Sequence, residues 1–450
     1  MEDASSELRL FLQGICCDYL LFRHLDEGVP PEAIRIRQEV ALCAGVFADI
    51  EVRAGQAPPY FVEVDTGYSR ERLLQSVRRK YGTPVPATDG ALRVVVAANG
   101  DALGDRTAVE RLRREALRPG LALEIWDERH LLRLLGKRFG VSLGALGEDD
   151  LLALRNAVDH AKGVHAFGDG FQNDPLQAAL LWHLAFWRVR RLREAGRSLP
   201  RSILPPGLCR DVVVVMADLC SYSSYVRDTR DEAVSRRSLT SFASRTRHRV
   251  VNDSGMLYQF LGDSVVGLFG VPEAPLGYLE QAVECARGLV DIGASVATEW
   301  QRQIDQIQPA AGVHVSMTLG DLQVLSLRPL SRTHMGVIGD SINLAARLNT
   351  VAGCDEIVVS NTLYQRLPDT LRTEFQELPP VEAKNIGRIH AWKLGPRRAP
   401  PIRWDRSQVL HHLRVRLVHV QPGLLLQRGP QSRPVLPVAE EPVDDSRRVP

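Results

Sequence analysis

The clearest hydrophobic pattern in the chain is an unbroken apolar run at 212–216, bounded by Asp211 on one side and Ala217-Asp218 on the other. A run of strand length without alternation predicts a strand covered on both faces. A second such run, 265–270, comes after Asp263. Between the two, segments 248–251 and 256–260 flank Asn252-Asp253-Ser254-Gly255, residues that tolerate positive φ, and this predicts a β-hairpin. Nearer the N-terminus, 47–53, 60–64 and 93–98 read as strands separated by turn signals. The most apolar helical stretch is 178–187, a core or dimer helix around Trp182 and Trp187. Asp174-Pro175 before it reads as an N-cap with Pro at N1, and Gly196 sits near the helix end. This stretch carries His183 and runs into Arg188, Arg190 and Arg191, well short of the ~20 apolar residues that span a bilayer.

These patterns divide the chain into four regions. Residues 1–145 form an α/β domain and 146–207 a helical connector and linker. Residues 208–396 are the most legible domain, and 397–450 a Pro- and Arg-rich tail without the makings of a packed core. A length of 450 residues allows roughly two to four domains. With 44% hydrophobic and 24% charged residues, collagen, coiled coil and wholesale disorder are excluded. A net charge of +2 gives no global field for nucleic acid or anionic membrane. Lys80, Lys137, Lys162, Lys384 and Lys393 are the only lysines, against fifty-one arginines, a bias of a GC-rich bacterial genome. The seven cysteines are scattered and never spaced as CxxC. That argues against a disulfide scaffold or zinc site and for a reducing cytoplasm. The start, MEDASSELRL, lacks the basic and apolar segments of a signal peptide.

Asp218 and Asp263 each sit beside a buried strand. A carboxylate there needs a partner or a cation. Two brought together make a hard-oxygen site for Mg²⁺ or Mn²⁺, and a pair of such ions serves in-line displacement at phosphorus. Spacing alone leaves open a plainer reading, with Asp218 capping a helix and Asp263 in a turn.

Three strings add to this. Residues 216–223 (MADLCSYS) resemble the first metal motif of class III nucleotide cyclases. Residues 259–264 (QFLGDS) resemble the second, and 336–348 (GVIGDSINLAARL) the dimer-arm and transition-state motif. They fall in family order and spacing across about 190 residues. The resemblance implies a ferredoxin-like α/β fold acting as a head-to-tail homodimer with shared active sites. It implies two divalent cations, Mn²⁺ or Mg²⁺, on Asp218, Asp263 and the Leu219 carbonyl. From the partner chain, Asn343 would position the ribose and Arg347 would meet charge on the α-phosphate. Ser221 and Ser223 stand where the family usually has Gly and Thr. Lys384, in the string 382–388, matches the phosphate-binding Lys roughly, and Arg388 could substitute.

The base-reading positions match neither familiar specificity. Gln259 stands where adenylate cyclases usually carry Lys and guanylate cyclases Glu, and Gly336 offers no side chain. Gln has donor and acceptor ends that could face uracil, cytosine or adenine. These departures resemble the bacterial Pycsar pyrimidine cyclases. That implies cyclic UMP, or else cyclic CMP, as a messenger in antiphage defence acting on a separate effector. UTP is favoured as substrate, then CTP, then ATP. The alternatives are a bacterial adenylate cyclase making cyclic AMP, a nucleic-acid-processing protein, and a module that binds nucleotide without turnover. For the second of these, Asp49 followed by Glu63-Val64-Asp65 resembles the restriction-endonuclease-like fold, whose pattern is an Asp and then E-x-K. Asp65 occupies the Lys position, which puts nuclease activity in doubt, and Lys80 could be a migrated replacement.

Overall fold

In the computed structural model, described residues are 2–43, 45–65, 70–81, 92–98, 121–126, 128–144, 147–197, 206–308, 310–326, 335–383 and 387–394. Lys384, the tail 397–450 and linker residues 198–205 lie outside them.

Helix α1 (Glu2–Asp26) is followed by three antiparallel strands, β1 (Ile34–Cys43), β2 (Val46–Ala54) and β3 (Tyr60–Asp65). After helix α2 (Arg70–Tyr81), β4 (Leu92–Ala98) lies parallel to β3, and β5 (Leu121–Trp126) parallel to β4. The sheet order is β1-β2-β3-β4-β5. The runs expected at 47–53, 60–64 and 93–98 are β2, β3 and β4. Every residue of β3 is buried, Glu63 and Asp65 included, so these carboxylates must be answered from within the protein.

Helix α3 (Glu128–Phe139) follows β5, and the segment 146–207 holds α4 (Glu148–Phe167), α5 (Pro175–His183) and α6 (Phe186–Glu194). Asp174 caps α5 as expected, its Oδ1 accepting from Leu176 N at 2.8 Å and Gln177 N at 2.9 Å. The single helix expected over 178–187 is instead two, broken at Leu184 and Ala185, which are extended. The break redirects the chain. Trp182 is left 51% exposed while Trp187 and Arg188 enter the core. Arg188 donates to the carbonyls of Ser254 (2.6 Å), Val271 (2.8 Å) and Glu273 (3.1 Å).

The larger sheet begins with β6 (Gly207–Leu219), whose 212–217 segment is wholly buried as the apolar run requires. There follow α7 (Tyr222–Asp228), α8 (Glu232–Asn252), β7 (Met256–Leu261), β8 (Ser264–Phe269), α9 (Tyr278–Ile304) and β9 (Val313–Ser326). The β6-α8-β7-β8-α9-β9 sequence with spatial order β9-β6-β8-β7 is a ferredoxin-like α/β arrangement. Strand β10 (Met335–Ile338) pairs antiparallel with the far end of β9, and α10 (Asp340–Asn349) comes next. Then β11 (Ile357–Ser360) joins β9 in parallel. Helices α11 (Asn361–Arg366) and α12 (Asp369–Arg372) precede β12 (Phe375–Glu377), the pair β13 (Val381–Ala383) and β14 (Gly387–Ile389), and the closing strand β15 (Ala391–Leu394). Among the described residues, no helix is long and apolar enough to cross a membrane.

Segment 248–251, expected as a strand, is the last part of α8. Phe242, Thr246, Arg249 and Val250 are buried at helical spacing, and this wins over the β-propensity of two adjacent valines. Val250 sits against glycines. A Cβ at Gly267 would come within 2.9 Å of its Cγ1, and one at Gly255 within 2.7 Å of its carbonyl. The true hairpin is β7–β8, turned at Gly262 (φ +65°) and Asp263.

The two sheets share one hydrophobic core. Where β1 meets α8 and α9, buried Glu39 pairs with Arg245 (2.8 Å), accepts from Ser295 Oγ (2.6 Å) and accepts from Gln13 Nε2 (2.9 Å). His248 is buried nearby, and burial pushes its pKa down to about 4; Asp18 opposes that shift, while Lys162, Arg247 and Arg249 add to it. An unfolded imidazole titrates near ~6.5, so between the two values the unfolded chain binds more protons. Stability contributed by neutral His248 is therefore present above about 6.5 and lost as pH falls toward about 4. Against His248→Gln, wild type should lose up to ~1.4 kcal/mol per pH unit in that window. Urea unfolding of both proteins near neutrality and in mild acid measures it. Parallel pH curves would refute the assignment.

Candidate active site

The two aspartates expected to act together are brought together. Asp218 lies at the end of central strand β6, where it pairs in register with Ser264 on β8 and His314 on β9. Asp263 occupies the tight turn just before Ser264, so it arrives beside Asp218. Ser264 Oγ donates to Asp218 Oδ1. The Asp263 carboxyl takes a hydrogen bond from the Leu219 backbone and shares one with Asp218. Burial, followed by the neighbouring charge of Asp218, pushes its pKa up to about 6. Among the described residues neither aspartate has a cationic ion-pair partner, and no cluster of three His, Cys, Asp or Glu surrounds them.

This donor set fits a hard divalent cation. Two adjacent, half-buried carboxylates with no counter-charge among the described residues, beside the end of a strand, want positive charge. A third protein ligand would have to be a backbone oxygen, the role expected of Leu219. Past it, Ser221 adopts φ +58°, a left-handed conformation that favours glycine, where the resembling family usually has Gly.

Asn343 and Arg347 lie one turn apart on α10, and both are exposed. No hydrogen bond or ion pair joins them to Asp218 or Asp263 among the described residues. Gln259 comes just after a bulge in edge strand β7, pairs with Val266 and is half-buried. Gly336 is buried in β10. The Val337 N–H donates to Tyr258 Oη at 3.1 Å, so the neighbours of Gly336 and Gln259 in sequence touch. Lys384 is outside the described residues, and Arg388 is exposed on β14.

Sequence reasoning missed three features here. Tyr258 anchors the arm, and Ser264 holds Asp218. The thiols of Cys220 and Cys354, treated as scattered, hydrogen-bond each other beside the end of β6, and the Cys220 bond lowers the Cys354 pKa. The sequence carries no signal for the first and third, since both depend on segments far apart in the chain.

A second polar centre lies in the N-terminal sheet. Asp49 on β2 pairs with Arg9 (2.9 Å) and Lys80 (3.2 Å) and accepts from Val64 N (2.8 Å). Burial opposes ionisation, yet these partners hold its carboxyl well below the usual range. Lys80, from α2, also contacts Glu63, as does the Tyr81 hydroxyl. Burial, then the charge of Asp49, pushes Glu63 up to about 7.

No family model and no curated protein matches the chain. Similar solved structures include the guanylyl cyclase Cya2, with 20% identity over 43% of this chain and 95% of that one and a TM-score of 0.37. The adenylyl cyclase CyaB from P. aeruginosa is 18% identical over 44% of this chain and 100% of that one, with a TM-score of 0.35. The guanylate cyclase domain of RhGC from Catenaria anguillulae is 18% identical over 42% of this chain and 98% of that one, with a TM-score of 0.33.

Proposed function

We propose that residues 208–396 are the catalytic domain of a nucleotide cyclase that converts a pyrimidine nucleoside triphosphate, UTP in first place, to its 3′,5′-cyclic monophosphate and pyrophosphate. The observation that carries this is the meeting of Asp218, Leu219 and Asp263 at the end of β6, uncompensated by any cationic side chain among the described residues. Bound there, Mg²⁺ or Mn²⁺ ions would lower the pKa of the ribose 3′-hydroxyl and neutralise the phosphates. The 3′-oxygen forms a bond to the α-phosphorus, the α–β phosphoanhydride bond breaks, the hydroxyl proton passes to water and pyrophosphate departs. Arg347 donates to the α-phosphate oxygens as charge builds on them, and Asn343 holds the ribose. Both are exposed on α10, as groups offered to a second copy would be. Leu261, 50% exposed beside Asp263, and Ile338, 62% exposed on the arm, give that copy apolar surface. Gln259 hydrogen-bonds the base. By the same reading the protein is a bacterial cytoplasmic enzyme of antiphage defence, and its product acts on a separate effector.

Incubation with Mn²⁺ and each ribonucleoside triphosphate in turn, with chromatographic separation of products, tests this. Cyclic UMP is expected to form fastest. Turnover of ATP alone would overturn the pyrimidine assignment in favour of an adenylate cyclase, and no cyclic product from any substrate would overturn the cyclase reading.

A second reading, for the N-terminal domain alone, is metal-dependent hydrolysis of nucleic acid. The observation favouring it is that Lys80 reaches both Asp49 and Glu63 from α2, supplying the charge that Asp65 does not. Nicking of supercoiled plasmid with Mg²⁺ or Mn²⁺ should be seen in wild type and lost in Lys80→Met. Intact plasmid with wild type rules this reading out.

A further inference from the structure

A cavity of about 930 Å³ opens where α1, the connector and helices α8 and α9 come together, away from the paired aspartates. That is the size of a pocket for a small organic ligand rather than for an ion. Its apolar lining includes Phe11 of α1, Leu181 and Trp182 of α5, Phe186 of α6 and Phe260 of β7. The opposite lining is a polar stripe of α8. Thr240, Ser241, Ser244 and His248 recur there at helical spacing, interleaved with arginines. Seven arginines and lysines line the space against four carboxylates.

The charge is not all spent within the protein. Arg155 lies over the Phe11 ring at 4.8 Å, and Arg247 over Trp182 at 4.5 Å while donating to the carbonyls of Leu181 and Trp182. Among the described residues, no carboxylate forms an ion pair with Arg155, Arg236 or Arg247. Lining residues that carry a buried side-chain atom without a hydrogen-bond partner include Gln38 (Oε1), Arg245 (Nη1) and His248 (Nε2). Buried polar atoms are rarely left so. An acceptor-rich head group on a flat apolar body would answer the cations and the aromatic rings together.

We propose that this cavity binds an amphipathic organic anion, an aromatic body of a few rings carrying a phosphate, sulfonate or carboxylate, and that the ligand is an effector of the hairpin bearing Asp263. The route is short. Phe260, in the lining, is the next residue after Gln259 on β7, and α8 packs across β7 and β8. The effector half rests on the cyclase reading, whereas the binding half does not.

The probe is 8-anilinonaphthalene-1-sulfonate, an anion of this kind whose fluorescence rises in apolar surroundings, and its neutral relative N-phenyl-1-naphthylamine. The full chain should bind one equivalent of the sulfonate saturably, and the neutral compound about tenfold or more weakly. Gly14 lines the cavity, and a Cβ there meets nothing within 4 Å. Gly14→Phe therefore grows into open space from a helix that gains propensity by losing glycine. It should weaken sulfonate binding about tenfold or more without lowering the melting temperature. Arg155→Gln/Arg236→Gln should weaken the sulfonate and leave the neutral compound unchanged. Wild-type affinity in Gly14→Phe overturns the site, and equal affinity for the two probes overturns the anion. For the effector half, the sulfonate should change nucleotide turnover about fivefold in wild type and not in Gly14→Phe. Binding with unchanged turnover overturns that half. Absence of all turnover indicts the cyclase reading, while the binding measurements still decide the site.

Discussion

Asp218→Ala is expected to lower nucleotide cyclisation roughly a thousandfold or more, because the ions it would hold supply several kcal/mol of transition-state stabilisation. Among the described residues no group of three or more His, Cys, Asp or Glu stands ready to take its place. Arg347→Ala should cost roughly 10²–10³-fold, the usual loss for one preorganised donor to developing charge. Neither change should unfold the protein. Arg347 is exposed, and such substitutions fall within about 0.5 kcal/mol. Asp218→Ala loses the bond from Ser264, about 1 kcal/mol, but also removes the charge that repels Asp263. The two variants should then complement. If the aspartates come from one chain and Arg347 from the other, a mixed dimer keeps one intact site. Equal mixing should return about a quarter of wild-type activity. Recovery is read by product formation after mixing, with size-exclusion chromatography to verify that dimers have exchanged. Exchanged dimers without recovery would place Arg347 and Asp218 in the same site of one chain and sink the shared interface.

Much of this site was legible because its parts announce themselves locally. An apolar run that ends on Asp218 and another that begins after Asp263 mark two buried strands. That their ends meet was expected from the resemblance of 216–223 and 259–264 to paired metal motifs, since spacing alone left a plainer reading open. The same logic found β2, β3, β4 and the cap at Asp174. It failed where local chemistry fits two answers. Val250-Val251 suits a strand by propensity, yet buried residues at 242, 246 and 249 put it on a helix. The apolar stretch 178–187 gave no sign of its break, since Leu184 and Ala185 are good helix formers. The break is imposed by the burial of Trp187 and Arg188 just beyond it. Other contacts between distant segments were not legible. Tyr258 against Val337, Cys220 against Cys354, and Glu39 against Arg245 and Ser295 depend on how sheets stack. Periodicity reports which face of an element is buried, not which partner buries it. Lys80 is the intermediate case. Its residue type suggested a role, and only the position of α2 brings it to Asp49 and Glu63.

The largest loss of stability should come from a residue outside either site. Arg188→Ala is expected to destabilise the protein by about 3–5 kcal/mol. Three carbonyls lose their donor, the two buried ones of Ser254 and Val271 each worth about 1–3 kcal/mol when orphaned, and the side chain leaves a cavity. That is a large share of the ~5–15 kcal/mol that holds a typical domain. Burial lowers the Arg188 pKa to about 10, so the guanidinium remains charged at neutral pH, and its charge strengthens all three bonds. The carbonyls belong to Ser254, just before β7, and to Val271 and Glu273, just after β8. One side chain from the connector thus clamps both ends of the hairpin that carries Gln259 and Asp263. Arg188→Met separates the two contributions. It keeps most of the stem volume, so its loss reports the orphaned carbonyls, and the further loss in alanine reports the cavity. Arg188→Lys should rescue only in part, because a point ammonium on a flexible stem cannot replace the planar fork. Urea titration gives the magnitudes, and hydrogen exchange gives the place. Amides of β7 and β8 should lose protection before those of β2 and β3 in the N-terminal sheet. Cyclisation should fall with them, since Asp263 is held at the hairpin turn. An Arg188→Ala protein that unfolds at the wild-type urea concentration would mean that water satisfies those carbonyls, and the connector would then be a spacer, not a clamp.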